Sequence, residues 1–123
     1  MANRNFKRLQ ALNPEVKIIA GSFSIAASGG AATKVTGLGY SVAKSGTGAY
    51  TITLEDAYPA CISAVATVQA ATAVDLVAQV SSVDAPGKSV VVKLLTAATA
   101  VEPSAVTVVN FCLLLQNSSL PSK

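Results

Sequence analysis

The six residues from position 50 to 55 alternate strictly between apolar and polar side chains, and this alternation constrains the fold more than any other feature. Tyr50, Ile52 and Leu54 alternate with Thr51, Thr53 and Glu55. Successive side chains of an extended strand point to opposite faces, so a period of two predicts a strand with one buried face and one solvated face. The chain must therefore build at least one sheet that covers a core.

A glycine-rich turn precedes this strand. Ser45-Gly46-Thr47-Gly48 is a strong turn signal, and residues 34–43 before it predict another strand, which contains Gly37-Leu38-Gly39-Tyr40. Residues 40–54 together predict a β-hairpin that is closed by the glycine-rich turn.

Other apolar segments, with turns at intervals of about 8–15 residues, predict seven or so strands in all. Gly21, inside the first segment, suggests a β-bulge. The Ala-rich stretch 57–73 would suit a helix by propensity, but its Val, Ile and Thr content and its alternation favour a strand. The predicted fold is an all-β, jelly-roll-like antiparallel β-sandwich. Its further strands are predicted at residues 16–25, 62–68, 76–80, 90–95 and 106–116.

The last predicted strand is apolar on both faces. Val109, Phe111, Leu113 and Leu115 share one face, and Val108, Cys112 and Leu114 share the other. A strand of this kind is buried on both sides, either between layers or at a subunit contact. We therefore predict that Val108, Cys112 and Leu114 lie in an oligomer interface.

Charged residues make up only 12% of the chain, about half the usual share, so a soluble monomer has little from which to build a charged exterior. This deficit predicts that other protein covers much of the surface. A Ser/Thr-rich exterior that stays soluble without charge is the alternative.

The excess positive charge lies in the first 17 residues. Four cations, Arg4, Lys7, Arg8 and Lys17, stand against Glu15, whereas five lysines and five acids balance from residue 18 onward. We therefore divide the chain into a basic N-terminal arm (1–17), extended or briefly helical as far as Asn13-Pro14, and a sandwich domain (18–123). So few cations are a weak nucleic-acid footprint, and docking onto an acidic protein surface is favoured. The predicted partner-binding residues are Arg4, Phe6, Lys7, Arg8, Leu9 and Leu12.

The sequence gives no sign of catalytic or cofactor chemistry. The chain has no histidine, which removes the usual general base and makes a zinc site with Cys61 and Cys112 improbable. The two cysteines are expected either as free thiols in strands or, alternatively, as a disulfide. The adjacent carboxylates Glu55 and Asp56 would point to opposite faces of a strand. No enzyme activity, metal or cofactor is expected.

No membrane association is expected either. Residues 103–122 carry no charge, but their dense apolar part, 105–115, is too short to cross a bilayer and is interpreted as a core strand.

The segment Gly39-Tyr40-Ser41-Val42-Ala43-Lys44-Ser45-Gly46-Thr47-Gly48-Ala49-Tyr50-Thr51-Ile52-Thr53-Leu54 resembles a hairpin that recurs in phage virion proteins and in tumour-necrosis-factor-like and complement-type trimeric sandwich modules. The opening, Asn5-Phe6-Lys7 through Leu12-Asn13-Pro14-Glu15-Val16-Lys17, resembles the start of small tailed-phage structural proteins.

This resemblance implies a virion protein, most specifically a capsid decoration or cement protein on the capsid surface. Such a protein would form a homo-oligomer, most often a trimer, and would bind the major capsid protein. The alternatives are a tail, baseplate or head-fibre component and a carbohydrate-binding adhesive module, for which the absence of Trp is unfavourable.

Overall fold

The structure is a computed structural model that describes residues 16–28, 30–70 and 75–116. Within these ranges the chain is all-β and contains no helix. The strands are β1 (Val16–Ile25), β2 (Ala32–Gly37), β3 (Tyr40–Gly46), β4 (Ala49–Leu54), β5 (Ala60–Gln69), β6 (Val77–Asp84), β7 (Ser89–Thr96), β8 (Thr99–Ala100) and β9 (Thr107–Gln116).

Two antiparallel sheets pack face to face. One sheet has the strand order β2-β1-β9-β5 and the other β3-β4-β7-β6, with the short β8 beside the end of β7. Eight long strands in two four-stranded layers form a jelly-roll-like β-sandwich, which confirms the predicted fold class. β1 begins at Val16, so the last two residues of the predicted arm already belong to the sheet.

The core between the sheets follows the predicted alternation. Tyr50, Ile52 and Leu54 of β4 are buried, as are Val90, Val92 and Leu94 of β7. β9 contributes Val109, Phe111, Leu113 and Leu115, and β1 contributes Ile19, Phe23 and Ile25. The hairpin of β3 and β4 pairs Tyr40 with Leu54, which confirms that prediction.

Four of the six Phe and Tyr residues of the chain form one cluster that joins the two sheets. Phe23 lies 5.9 Å from Tyr50 and 6.3 Å from Phe111 between ring centroids. Tyr40 meets Phe111 edge to face at 4.8 Å. Tilted and edge-on arrangements at these distances are favourable, so a chain poor in aromatics concentrates them where they hold the layers together.

The prediction of one strand over residues 34–43 is wrong. The chain reverses at Gly37-Leu38-Gly39 and passes from β2 in one sheet to β3 in the other. Gly37 and Gly39 have φ angles of 104° and 88°, a conformation that side chains with a Cβ rarely adopt. Apolar residues continue on both sides of the two glycines, as Val35, Leu38 and Tyr40, so hydrophobicity alone did not mark the turn.

Gly21 does not mark a bulge in β1, because it pairs in regular register with Phe111. The irregularity lies in β2, where Val35 is the extra residue beside Ser22 and Phe23. A Cβ on Gly21 would lie 2.5 Å from the Tyr40 hydroxyl oxygen, so the glycine permits the close approach of that ring.

Residues 60–69 form β5 rather than a helix, as the alternation predicted. Its inward side chains are small: Cys61, Ala64, Ala66 and Val68 pack against the core. The strand is an edge, with β9 as its only hydrogen-bonded neighbour among the described strands.

A polar cluster ties the segment after β8 to the β3–β4 hairpin. The Glu102 carboxylate accepts hydrogen bonds from the Gly48 amide at 3.2 Å and from the Tyr50 hydroxyl at 3.3 Å. The Lys44 ammonium lies 2.8 Å from the same carboxylate. The hydrogen bond from Lys44 is the main reason that the pKa of Glu102 is lowered.

We expect stability to fall in alkali because of Tyr50. Burial raises its pKa to about 12, and the Glu102 charge and hydrogen bond add to the rise. Above the ordinary tyrosine pKa the unfolded chain releases a proton that the folded chain retains. The free energy of unfolding should therefore be unaffected below pH ~10 and fall by about 2 kcal/mol towards pH ~12.

Urea unfolding of the wild type and of Tyr50→Phe across this pH range would measure the effect. In the variant, the free energy of unfolding should fall less steeply with pH, because the contribution of Tyr50 is gone. The contributions of Tyr40 and Tyr58, whose pKa values burial also raises, should remain. Identical slopes for the two proteins would contradict the assignment.

Candidate assembly surface

The outer face of the β2-β1-β9-β5 sheet is the candidate functional surface, and we call it the uncharged face. It consists of the side chains that alternation directs away from the core. Among the described residues it carries neither an acid nor a base. Its members are Val16, Ile18, Ala20, Ser22 and Ser24 of β1, Thr33 and Thr36 of β2, Ser63, Val65, Thr67 and Gln69 of β5, and Val108, Asn110, Cys112, Leu114 and Gln116 of β9.

Strand register arranges these side chains in rows across the sheet. Two rows at the end where β1 begins are mostly apolar, and two rows nearer the other end are hydroxyls and amides with one valine. The apolar rows are Ile18–Leu114–Ser63 and Ala20–Cys112–Val65, and the polar rows are Thr36–Ser22–Asn110–Thr67 and Thr33–Ser24–Val108–Gln69.

Four side chains of the polar rows are hydrogen-bonded to one another in two pairs. The hydroxyls of Ser22 and Thr36 lie 3.0 Å apart, and the Asn110 amide donates to the Gln69 side-chain oxygen at 3.2 Å. Polar groups that already have partners cost less to cover with another protein than unpaired ones. These four side chains can therefore lose water at low cost.

The three residues predicted for the oligomer interface lie together on this surface. Val108, Cys112 and Leu114 are half-buried along the middle of the sheet, between β1 and β5. Ile18 at 44% and Val65 at 56% exposure flank them. No second layer of the described chain covers this side, so the apolar character of β9 has no structural explanation within one copy.

Sequence reasoning missed Ile18, Ala20 and Val65 as members of the surface. Their own strands gave no sign of which face would be covered, because Ile18 and Ala20 lie in an apolar run with Ile19, and Val65 lies between two alanines. The signal was in β9, whose two apolar faces implied apolar neighbours on both sides of the sheet. Only the strand order supplies those neighbours.

A shallow depression of about 170 Å³ lies on this face between β5 and β9, beside Val65, Thr67, Asn110 and Cys112. A side chain of a partner protein can fit into this depression. Shape complementarity of this kind accompanies apolar contact in protein interfaces.

Charges of the described residues lie at the ends and edges of the sandwich or on the other sheet. Glu55 and Asp56 follow β4 at the end where β1 begins, Asp84 is the last residue of β6, and Lys88 lies in the turn before β7. Lys93 is on the outer face of the other sheet. This segregation leaves one whole face free for contacts that need no charge pairing.

The area of the face suits a protein interface. Four strands ~4.8 Å apart and about nine residues long at ~3.3 Å per residue span roughly 600 Å² before side-chain relief is counted. A standard interface takes about 800 Å² of accessible surface from each partner. The face alone is therefore close to one full interface.

The predicted partner-binding residues Arg4, Phe6, Lys7, Arg8, Leu9 and Leu12 lie outside the described residues. The described chain places Val16, where the preceding segment joins, at the apolar end of the uncharged face.

Both cysteines are free and half-buried. Cys61 points towards the core and Cys112 towards the uncharged face, so they lie on opposite sides of one sheet. Burial raises the pKa of the Cys61 thiol, which donates to the Ser63 carbonyl at 3.4 Å.

A second concavity, of about 410 Å³, opens at the end of the sandwich between Leu76, Glu102, Pro103 and Val106. Its half-buried acid, Glu102, is already held by Lys44, Tyr50 and Gly48. Within the described ranges no cluster of three or more acids and cysteines could hold a metal ion. Nor does this part of the chain contain a helix able to span a membrane.

Comparison with protein-family models, curated proteins and solved structures finds no match to this chain.

Proposed function

We propose that this chain is a non-enzymatic structural subunit of a phage virion, a capsid decoration or cement protein that binds the outside of the major capsid shell. The observation that carries the proposal is the uncharged face, an apolar and hydrogen-bonded sheet surface of interface size. A surface of this kind suits a subunit that other protein covers permanently.

The proposed assembly uses two surfaces with different chemistry. The uncharged face joins copies of the chain, as a trimer in the arrangement that the hairpin resemblance implies. The basic segment before Val16 reaches the shell, where Arg4, Lys7 and Arg8 pair with carboxylates and Phe6, Leu9 and Leu12 enter grooves. Three segments acting at once convert weak contacts into durable attachment through effective concentration.

We expect Leu114→Lys to weaken self-association at least about tenfold, because a charge would have to be buried without a partner. Leu95→Lys is the matched control, since Leu95 is a half-buried, outward-facing residue on β7 of the other sheet. Light scattering over a range of concentrations measures the mass of both variants, and circular dichroism checks their folding. If both variants lose oligomeric mass equally, or if neither loses it, the uncharged face is not the surface that joins the copies.

The shell contact is tested with a chain that lacks residues 1–15, because Val16 already pairs with Gln116 in the sheet. This truncated chain should keep its oligomeric mass and lose binding to empty capsids. A full-length variant with glutamate at positions 4, 7 and 8 separates charge from length, and Lys88→Glu in the turn before β7 is its control. Full capsid binding by the truncated chain would refute the assignment of shell binding to the N-terminal segment. If gold-labelled protein binds phage tails and not heads, the protein is a tail component.

A further inference from the structure

The free edge of β5 differs from the other sheet edges of the described chain. β2 carries Lys34 and the extra residue Val35, β3 carries Lys44 and an irregularity before Gly46, and β6 carries Asp84 and a register shift between Val80 and Ser82. Charges and bulges at an edge prevent unwanted pairing with another strand. Those three edges are therefore protected.

The β5 edge lacks this protection. The strand runs for ten residues, Ala60–Gln69, without a charge or a proline. Its one register shift lies near its start, between Cys61 and Ser63, and from Ser63 onward the pairing with β9 is regular. A long, regular and uncharged edge exposes a row of backbone N–H and C=O groups that another strand can pair with.

The order of side chains along β5 is symmetric about Val65. Reading outward from Val65, the residues on either side are Ala64 and Ala66, then Ser63 and Thr67, then Ile62 and Val68. An antiparallel strand pair around a two-fold axis places residues that are equally far from its centre opposite each other. Such an axis at Val65 would put like against like from Ile62 to Val68.

We propose that β5 pairs antiparallel with β5 of a second copy, about a two-fold axis at Val65, so that two sheets join into one of eight strands. Val65 lies opposite Val65 of the second copy, and Ser63 lies opposite Thr67 of the second copy. β-Branched pairs and hydroxyl pairs are favourable across antiparallel strands. The inward side chains beside Val65, Ala64 and Ala66, are small and half-buried, so they leave room for the second strand to approach.

The second copy is the occupant because the edge is complementary to itself. With no charge on β5, two copies meet without repulsion, and the symmetric order of side chains would not be expected for an unrelated strand. Edge pairing also makes the two uncharged faces continuous and doubles the flat area to roughly 1,200 Å². The inference goes beyond the proposed function. Both include self-association of the chain, but β5 pairing does not depend on binding to a capsid shell.

A cysteine cross-link tests both the contact and its register. In a Cys61→Ser, Cys112→Ser background, Val65→Cys places two thiols opposite each other with Cα atoms ~4.5–5.5 Å apart, within reach of a disulfide. Thr67→Cys in the same background places its two thiols four residues out of register, with Cα atoms roughly 14 Å apart and beyond that reach. We expect Val65→Cys to form a covalent dimer under mild oxidation at least about tenfold faster than Thr67→Cys.

A charge substitution provides an independent measurement. Val65 and Val35 are equally exposed valines, 56% and 55%, on opposite edge strands of the same sheet. Val65→Lys would set two ammonium groups opposite each other and should weaken association, whereas Val35→Lys should leave the mass unchanged.

The outcomes separate the two proposals. Oligomers that depend on Leu114 but give equal cross-linking at positions 65 and 67 would overturn the β5 contact and leave the proposed function standing. Rapid, position-specific cross-linking without any capsid binding would support β5 pairing and overturn the decoration role. A monomer at all concentrations would overturn both.

Discussion

Replacing Phe23 by alanine should lower the free energy of unfolding by about 3–5 kcal/mol, the cost typical of truncating a buried phenylalanine. Phe23 is fully buried and touches the aromatic ring of Tyr50 in the other sheet and that of Phe111 in its own. Its loss leaves a cavity where the two layers meet. Domains of this size are stable by only about 5–15 kcal/mol, so the loss is a large part of the total.

Urea unfolding followed by circular dichroism measures this change. Phe23→Leu should cost less than the alanine variant because it keeps most of the volume, and Val35→Ala at an exposed position should change stability by no more than about 0.5 kcal/mol. A loss below about 1 kcal/mol for Phe23→Ala would mean that the aromatic cluster does not hold the sheets together. The slope of the free energy of unfolding against urea concentration should be the same in all variants, which would show that they unfold between the same folded and unfolded states.

The same cluster explains what sequence could and could not predict about the core. Period-two alternation identified β4 and β9 correctly, because each has one face that is apolar throughout. It could not predict that Phe23, Tyr40, Tyr50 and Phe111 meet, since they come from four strands in two sheets. Contacts of that kind depend on strand order, which local periodicity does not encode.

The candidate surface was predictable in part for the same reason. Val108, Cys112 and Leu114 stood out because an apolar second face on a strand is unusual in a single layer of sheet. The other members of the uncharged face could be identified only from the strand order, which places β9 between β1 and β5. The sequence showed only that the chain contains few charged residues. Composition does not say where those residues lie, so it could not show that one whole face lacks them.

The turn between β2 and β3 is where sequence reading failed, and it supports the second large effect. Gly37→Ala should destabilise the fold by about 3 kcal/mol or more, through backbone strain and overpacking together. A Cβ on Gly37 would lie 2.5 Å from the Ala20 carbonyl oxygen and 2.9 Å from the Gly21 Cα. Both obstacles are backbone of the paired strand, which cannot turn aside as the end of a flexible side chain can.

Gly46→Ala is the matched control, because Gly46 does not have a positive φ angle and a Cβ there would meet only the Ala49 Cβ at 3.8 Å. That variant should be neutral or more stable by up to ~1 kcal/mol, through a smaller entropy of the unfolded chain. Similar unfolding midpoints for the two variants would contradict the strained-turn account.

The Gly37 variant also bears on how β3 is positioned. Tyr40, immediately after the turn, donates from its hydroxyl to the carbonyl oxygens of Ser22, at 2.9 Å, and of Thr36. Its ring covers Gly21 and Gly37, so the turn and the tyrosine together carry the chain from one layer to the other. If Gly37→Ala forces the turn open, the Tyr40 hydroxyl should become accessible, and its titration should move back towards pH ~10, the ordinary value for an exposed tyrosine. Loss of stability without that shift would mean that the strain is absorbed within β2, leaving the connection between the sheets intact.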